Sequence, residues 1–162
     1  MASFCGYASP SGEAVSQLLR YSDGMRNSGE YYGIAAESGV GICAASPFRH
    51  PLPFRLRLGR RQFLAACLGM PHPKGTPRIF SFETEKMLLA SYICGGIRAI
   101  EREFSGDFAF VIQDFSKNVL LLSAFGEKTL FVGEREGVFW FSSHPISPCT
   151  VSIEKGLYRL RR

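Results

Sequence analysis

The spacing of apolar residues changes several times along the chain, and each change marks an element. Residues 3–8 (SFCGYA) are a short apolar run closed by Ser9, Pro10, Ser11 and Gly12, a turn-forming cluster, which predicts a strand. From 13 to 25, Val15, Leu18, Leu19 and Ser22 share one face at helical spacing, with Ser11 as candidate N-cap and Gly24 or Gly29 near the end. Residues 31–36 and 39–45 read as a hairpin across Glu37, Ser38 and Gly39. The proline-bearing segment 47–59 reads as a loop or an edge strand, because proline cannot donate to a ladder, and 62–68 as a strand. Residues 69–77, with three prolines and two glycines, are predicted irregular. Between 84 and 103, Met87, Leu88, Tyr92, Ile97 and Ile100 recur at helical spacing around Gly95 and Gly96, so two short helices or one broken helix is expected. After Gly106 the period falls to two. DFAFVIQD, NVLLLSA, TLFVG and VFWFSSH then predict an antiparallel meander over 107–144, with a last strand pair around Val151 and Tyr158. This order fits an α+β domain of two sheets with helices on their outer faces.

Composition agrees with that picture. At 162 residues the chain has room for a single domain over 1–162, and 46% apolar with 20% charged residues is ordinary for a globular protein. Fourteen phenylalanines, many spaced two apart, favour strands. No run approaches the ~18 apolar residues of a membrane span, and the first residues lack the basic start and apolar stretch of a secretory signal, so a cytoplasmic address without membrane contact is expected. The five cysteines include no Cys-x-x-Cys pair, which predicts free buried thiols and no metal site. His50, His72 and His144 are too scattered to suggest metal binding.

The formal charge of +5 is uneven: Arg49, Arg55, Arg57, Arg60 and Arg61 lie between 49 and 61 without one acid, and RLRR closes the sequence. Such a cluster fits a solvated loop, or a surface for phosphate, carboxylate or an acidic protein face. No stacking-aromatic or helix-in-groove pattern accompanies it, so nucleic acid is not an expected partner.

Several motifs carry a resemblance. The stretch from Thr84 to His144 places a helix before GDFAFVIQD, a hairpin, a glycine turn and a final FSSH strand; GMRNSGEYYGI and FCGY precede it, and Gly156, Leu157 and Tyr158 follow. This resembles the class II glutamine amidotransferase domain of asparagine synthetases, with its GxFAFxxxD and FASE strands, its MRHRGPDGxGI segment and its opening MCGI. The resemblance implies a four-layer αββα sandwich of the N-terminal-nucleophile (Ntn) type and hydrolysis of glutamine to glutamate and ammonia by an N-terminal cysteine, without a cofactor. In that chemistry the free α-amine, with an ordinary pKa of about 7.7 to 8.0, is the base that activates the adjacent thiol.

By that resemblance Cys5, followed by Gly6, is the candidate nucleophile, and four residues precede it. Its amide nitrogen becomes basic only if residues 1–4 are removed. The glutamine-carboxylate arginine falls at Ser46, with Arg49 three residues on as a substitute. The Asn-Gly-Glu oxyanion motif falls on Leu68, Gly69 and Met70, keeping the glycine amide and losing the Asn donor, a loss that typically costs ~10²- to 10³-fold in turnover. The acid that grips the glutamine amine falls at Thr84, or at Glu83 after a one-residue shift, where Glu83 also suits the N-terminal end of a helix. Ser123 and Ala124 replace an Arg-Asp pair, and His144 replaces the last Glu of FASE. Two readings follow: a degenerate module beside an ATP-dependent amide-forming synthetase or cyclase subunit, or an active glutaminase after removal of 1–4, with glutamine as substrate. Anion binding through 49–61 is a third, and a homodimer stays open.

Overall fold

The computed structural model describes residues 3–10, 14–26, 31–47, 53–77 and 82–159. Ser11, Gly29 and Arg49 lie outside them. Strand β1 (Ser3–Ala8) is followed by helix α1 (Val15–Arg26) and the hairpin β2 (Tyr31–Glu37) and β3 (Val40–Ser46). Next come β4 (Phe54–Leu58), β5 (Arg61–Gly69) and the two-residue β6 (His72–Pro73). Helix α2 (Phe82–Glu103) leads into β7 (Phe104–Ser105), and then β8 (Phe108–Asp114), β9 (Val119–Phe125), β10 (Leu130–Arg135), β11 (Val138–Ser142), β12 (Val151–Ile153) and β13 (Lys155–Arg159).

The strands form a six-stranded sheet in the order β12-β10-β11-β1-β3-β2, a five-stranded sheet in the order β13-β9-β8-β5-β4, and the small pair β6-β7. Every pairing is antiparallel. Period-two alternation sorts the side chains into three apolar layers. Between the sheets lie Phe4 and Ala8 of β1, Ile42 of β3, Leu64 and Leu68 of β5, Val111 of β8 and Phe141 of β11. Cys5 and Tyr7, the odd positions of β1, pack with Cys43, Trp140 and helix α1. Phe63, Ala65 and Cys67, the odd positions of β5, pack with Phe108, Phe110 and helix α2. Helix, sheet, sheet and helix therefore stack as the expected α+β, four-layer αββα sandwich.

Several details depart from the sequence reading. In α1 the buried face is Ala14, Leu18, Ser22 and Met25, while Val15 and Leu19 are exposed. The helix needs only the narrower stripe because Ser22 is satisfied in place: its hydroxyl donates to Leu19 O at 2.9 Å and lies 2.7 Å from the Tyr32 hydroxyl. Met87 of α2 likewise faces out; the helix is broken at Gly96 (φ 68°, ψ −159°), as the glycine pair led one to expect. The expected meander is two hairpins in different sheets, because the chain crosses between layers after Phe125, so β8-β9 and β10-β11 pair separately. For the same reason β12 and β13 pair with β10 and β9, not with each other. Of the cysteines, Cys94 is exposed, against the expectation of buried thiols throughout, since it sits on the outer side of α2.

Phe4 tests the sandwich directly. Its ring is fully buried between the sheets and meets Phe141 edge-on at 6.5 Å. Phe4→Ala is expected to cost about 3–5 kcal/mol, read as a lower urea midpoint at unchanged slope.

Candidate functional site

Cys5 lies within β1, with β3 and β11 paired on its two sides: it stands opposite Cys43 in one register and Ser142 in the other. The β1-β3 ladder continues to Ser9, whose N–H donates to Gly39 O at 2.7 Å. Antiparallel pairs alternate between mutually hydrogen-bonded and non-bonded. Counting back by twos from Ser9 and Gly39 puts Cys5 and Cys43 in a bonded pair, so the Cys5 amide nitrogen is a donor inside the ladder.

The thiol faces the α1 layer among Cys43, Trp140 and Cys149 and is completely buried. Its pKa is driven far up, first by the side-chain hydrogen bond with Cys43, then by burial and by the charges that Cys43 and Cys149 would carry. Thiolate is the nucleophilic form of cysteine, and this setting suppresses it. Gly6 is fixed by packing: a Cβ there would lie 2.3 Å from the Phe141 ring and 2.4 Å from Gly41 O.

The peptide preceding Cys5 is held by the end of β11. Phe4 N–H donates to Ser143 Oγ at 3.0 Å, and Phe4 O accepts from Ser143 N–H at 2.9 Å and from Ser142 Oγ at 3.4 Å. His144 continues this cluster: its N–H donates to Ser142 Oγ at 3.3 Å, and its Nδ1 lies 3.4 Å from Ser143 Oγ. Burial lowers the His144 pKa.

Gly69 ends β5 in the other sheet, with φ at +92°. A Cβ at this position would lie 2.2 Å from Asp107 O, and the next amide, Met70 N–H, donates to that same carbonyl at 3.2 Å. Leu68 points into the inter-sheet core that also holds Phe4. The structure therefore places the Cys5 thiol on the α1 side of the first sheet and Gly69 at the end of β5 in the second sheet.

Glu83 occupies the first turn of α2, mostly exposed, 2.8 Å from Lys86 Nζ. Thr84 is buried, as are Ser46 at the end of β3 and Ser123 in β9. The residue missed from sequence is Glu85, buried on the α2 face that meets the second sheet, with its pKa raised by burial to about 8. The signal was present: Glu85 is in phase with Leu88, Leu89 and Tyr92 at steps of three, four and seven. It raises the pKa of Cys67, already pushed up by burial. Among the described residues, no three His, Cys, Asp or Glu side chains are grouped to hold a metal ion, and no helix is long and apolar enough to cross a membrane.

The fold is that of a class II, Ntn-type glutamine amidotransferase-like domain. Among solved structures, the chain is similar to the glutamine phosphoribosylpyrophosphate (PRPP) amidotransferase from B. subtilis complexed with ADP and GMP, with a TM-score of 0.61 and 12% identity over 88% of this chain. It is also similar to an allosteric regulatory enzyme of purine biosynthesis, with a TM-score of 0.50 and 12% identity over 87% of this chain. The matches span 42% and 35% of those two chains, and at such identity the likeness is one of fold. No family model matches the chain, and no curated protein matches it by sequence.

Two substitutions probe this region. Gly69→Ala is expected to destabilise the fold by ~2 kcal/mol through left-handed backbone strain and the contact with Asp107, measured by thermal or urea unfolding. Glu85 gives a pH signature. Its folded pKa of about 8 lies above the ordinary 4.5, so its favourable contribution is complete below pH 4.5 and is lost as pH rises toward 8. The stability of Glu85→Gln relative to the unmodified protein should therefore rise between pH 4.5 and 8, by on the order of 3 kcal/mol.

Proposed function

We propose that this chain is an amidotransferase-like module of the asparagine-synthetase type with impaired or lost glutaminase activity, acting beside an ATP-dependent amide-forming synthetase. The observation that carries the reading is the position of Cys5 inside a strand paired on both sides, its amide nitrogen engaged as a ladder donor and its thiol buried. An Ntn cysteine needs a free α-amine as base and a thiol open to the glutamine amide. Removal of residues 1–4 to free the amine also removes Phe4 from the inter-sheet core, where it is completely buried. Leu68 at the oxyanion position supplies no side-chain donor, and Glu83, which the resemblance offers for the amine-binding acid, lies on the exposed first turn of α2 beside Lys86. The synthetase partner rests on the sequence resemblance.

A second reading, an active glutaminase matured at Cys5, is favoured by one feature: the Phe4 carbonyl accepts from both Ser143 N–H and Ser142 Oγ, a pair of donors on the peptide bond that maturation would cleave.

The two readings separate in one experiment. Intact mass and N-terminal sequencing on protein made without an N-terminal tag should show residues ahead of Cys5, and glutamate release from glutamine should be unchanged by Cys5→Ala. A chain beginning at Cys5 whose glutaminase activity is abolished by Cys5→Ala would overturn the first reading. The partner is tested by adding the protein to an asparagine-synthetase-type synthetase domain that lacks its own amidotransferase half and measuring amide formation from a supplied amine. An unchanged rate would count against a docking role.

A further inference from the structure

The second sheet ends at β4, and among the described residues no strand pairs with the outer side of that strand. The ladders show which backbone groups face outward there. Phe115 N–H donates to Gln62 O and Met70 N–H to Asp107 O, so the even-numbered residues of β5 bond toward β8. The odd-numbered residues Phe63 and Ala65 therefore bond toward β4, where they stand opposite Leu56 and Phe54. Arg55 and Arg57 are left with their N–H and C=O directed away from the sheet. That spacing of two is what a further strand pairs with.

The side chains beside this edge alternate in kind. Phe54 and Leu56 pack on the α2 side, and Leu58, two residues on, is 47% exposed. A cavity of about 500 Å³, with Ile34, Phe54, Leu56 and Leu89 on its wall, flanks the same edge and gives room for an apolar side chain. Arg55 and Arg57 lie on the opposite face and are exposed. Arg55 meets one acid, Glu37, at 3.8 Å, and donates to Ala36 O at 3.4 Å. Among the described residues Arg57 reaches only Gly59 O, at 3.4 Å, and Arg60 stands exposed in the turn to β5 with no acid beside it. The edge thus carries more positive charge than its own acids match.

We propose that β4 accepts an extended acidic segment of a partner protein as an added antiparallel strand, its acidic side chains beside Arg55 and Arg57 and its apolar ones beside Leu56 and Leu58. In this mode main-chain hydrogen bonds supply affinity and the alternating side chains supply selection. A second copy of β4 is a poorer occupant, because antiparallel pairing would set arginine against arginine, and like charges directly opposite destabilise a pair. A free anion would use the guanidinium groups and leave the backbone edge and Leu58 in water. The surface belongs to the other sheet from Cys5, and its success or failure leaves the amidotransferase reading where it stands.

The test is a titration of the full chain with the end-blocked peptide EVEVEV, followed by amide resonances and amide hydrogen exchange, with EEEVVV and KVKVKV as controls. EVEVEV should bind with saturation, slow the exchange of the Arg55 and Arg57 amide protons, and bind less well as salt is raised. EEEVVV should bind about tenfold more weakly, equivalent to ~1.4 kcal/mol, and KVKVKV should not bind. Arg57→Glu should weaken EVEVEV to a similar degree with unfolding unchanged. Arg57→Pro removes an outward N–H that β5 does not use and should weaken binding as well. Should the proline disturb β4, methylation of the peptide decides: N-methyl groups on the glutamates, which stand opposite the arginines, should abolish binding, and N-methyl groups on the valines should spare it. Equal affinity for EVEVEV and EEEVVV, unchanged exchange at Arg55 and Arg57, or full binding by the peptide methylated at its glutamates would each overturn the proposal. So would a dimer of the free chain that protects those two amides without peptide.

Discussion

The structure turns on the pairing of β1 on both of its edges. A strand with neighbours on each side must commit every amide and carbonyl to a ladder, and its alternating side chains must enter the layers above and below. Here Phe4 and Ala8 enter the space between the sheets, and Cys5 and Tyr7 enter the layer beneath α1. Tyr7 meets Trp140 at 5.7 Å, and Trp140 meets Tyr21 of α1 edge-on at 4.9 Å, so this strand also positions the first helix. A residue in the interior of such a strand is a structural element of the sheet. The same geometry that makes β1 a good centre for the sandwich buries the Cys5 thiol and sets its amide nitrogen in the β1-β3 ladder.

The second sheet follows the same logic with different residues. Phe108, Phe110 and Phe125 stack with centroids 4.5 to 6.1 Å apart on the α2 side, while Leu64, Leu68 and Val111 fill the inner side. The closing salt bridge, Arg61 to the fully buried Asp114 at 3.1 Å, lies at the far end of β5 from Gly69, with the Arg61 guanidinium over the Phe63 ring at 5.0 Å. Asp114 further accepts from the amides of Ser116 and Lys117, so its side chain is held by the turn that joins β8 to β9.

Much of this was legible in the sequence, and the limits have physical causes. Period two identified the strands and period 3.6 the helices, because burial on one face enforces those spacings whatever the tertiary partner. Which sheet each strand joins is set by contacts far apart in sequence, so four consecutive strands read as one meander although the chain changes layer between Phe125 and Leu130. In α1, Val15 and Leu19 looked like core residues by type; the buried places went to Ala14 and Met25 beside the expected Leu18 and Ser22, because the helix packs on β1 and β3 along that stripe. In the candidate site, Cys5 and Gly69 could be named from motif order, but their separation could not, since a motif gives position along the chain and not the face a side chain takes. Glu85 was overlooked for a related reason. A carboxylate is ordinarily a surface residue, so its phase with Leu88, Leu89 and Tyr92 was outweighed by its charge.

The placement of apolar residues at the positions where the resembled family carries polar ones has an energetic direction. A buried amide or carboxylate stabilises a fold only when every lone pair and proton finds a partner, and otherwise costs roughly 1–3 kcal/mol. Leu68 avoids that cost by adding to the inter-sheet cluster with Phe4 and Phe141. Gly69 keeps its conformation because Asp107 O approaches within 2.2 Å of where a side chain would begin, a requirement of the β5-β8 join that persists with or without catalysis. The layers, the glycine turn and the central strand of this sandwich are thus held by packing and by the ladders, and function is a separate matter of the side chains grafted on that frame. Conversely, Glu85, Gln113, Asp114 and Ser142 are among the polar side chains that the interior does hold, and Ser142 and Ser143 tie the Phe4 peptide to the end of β11.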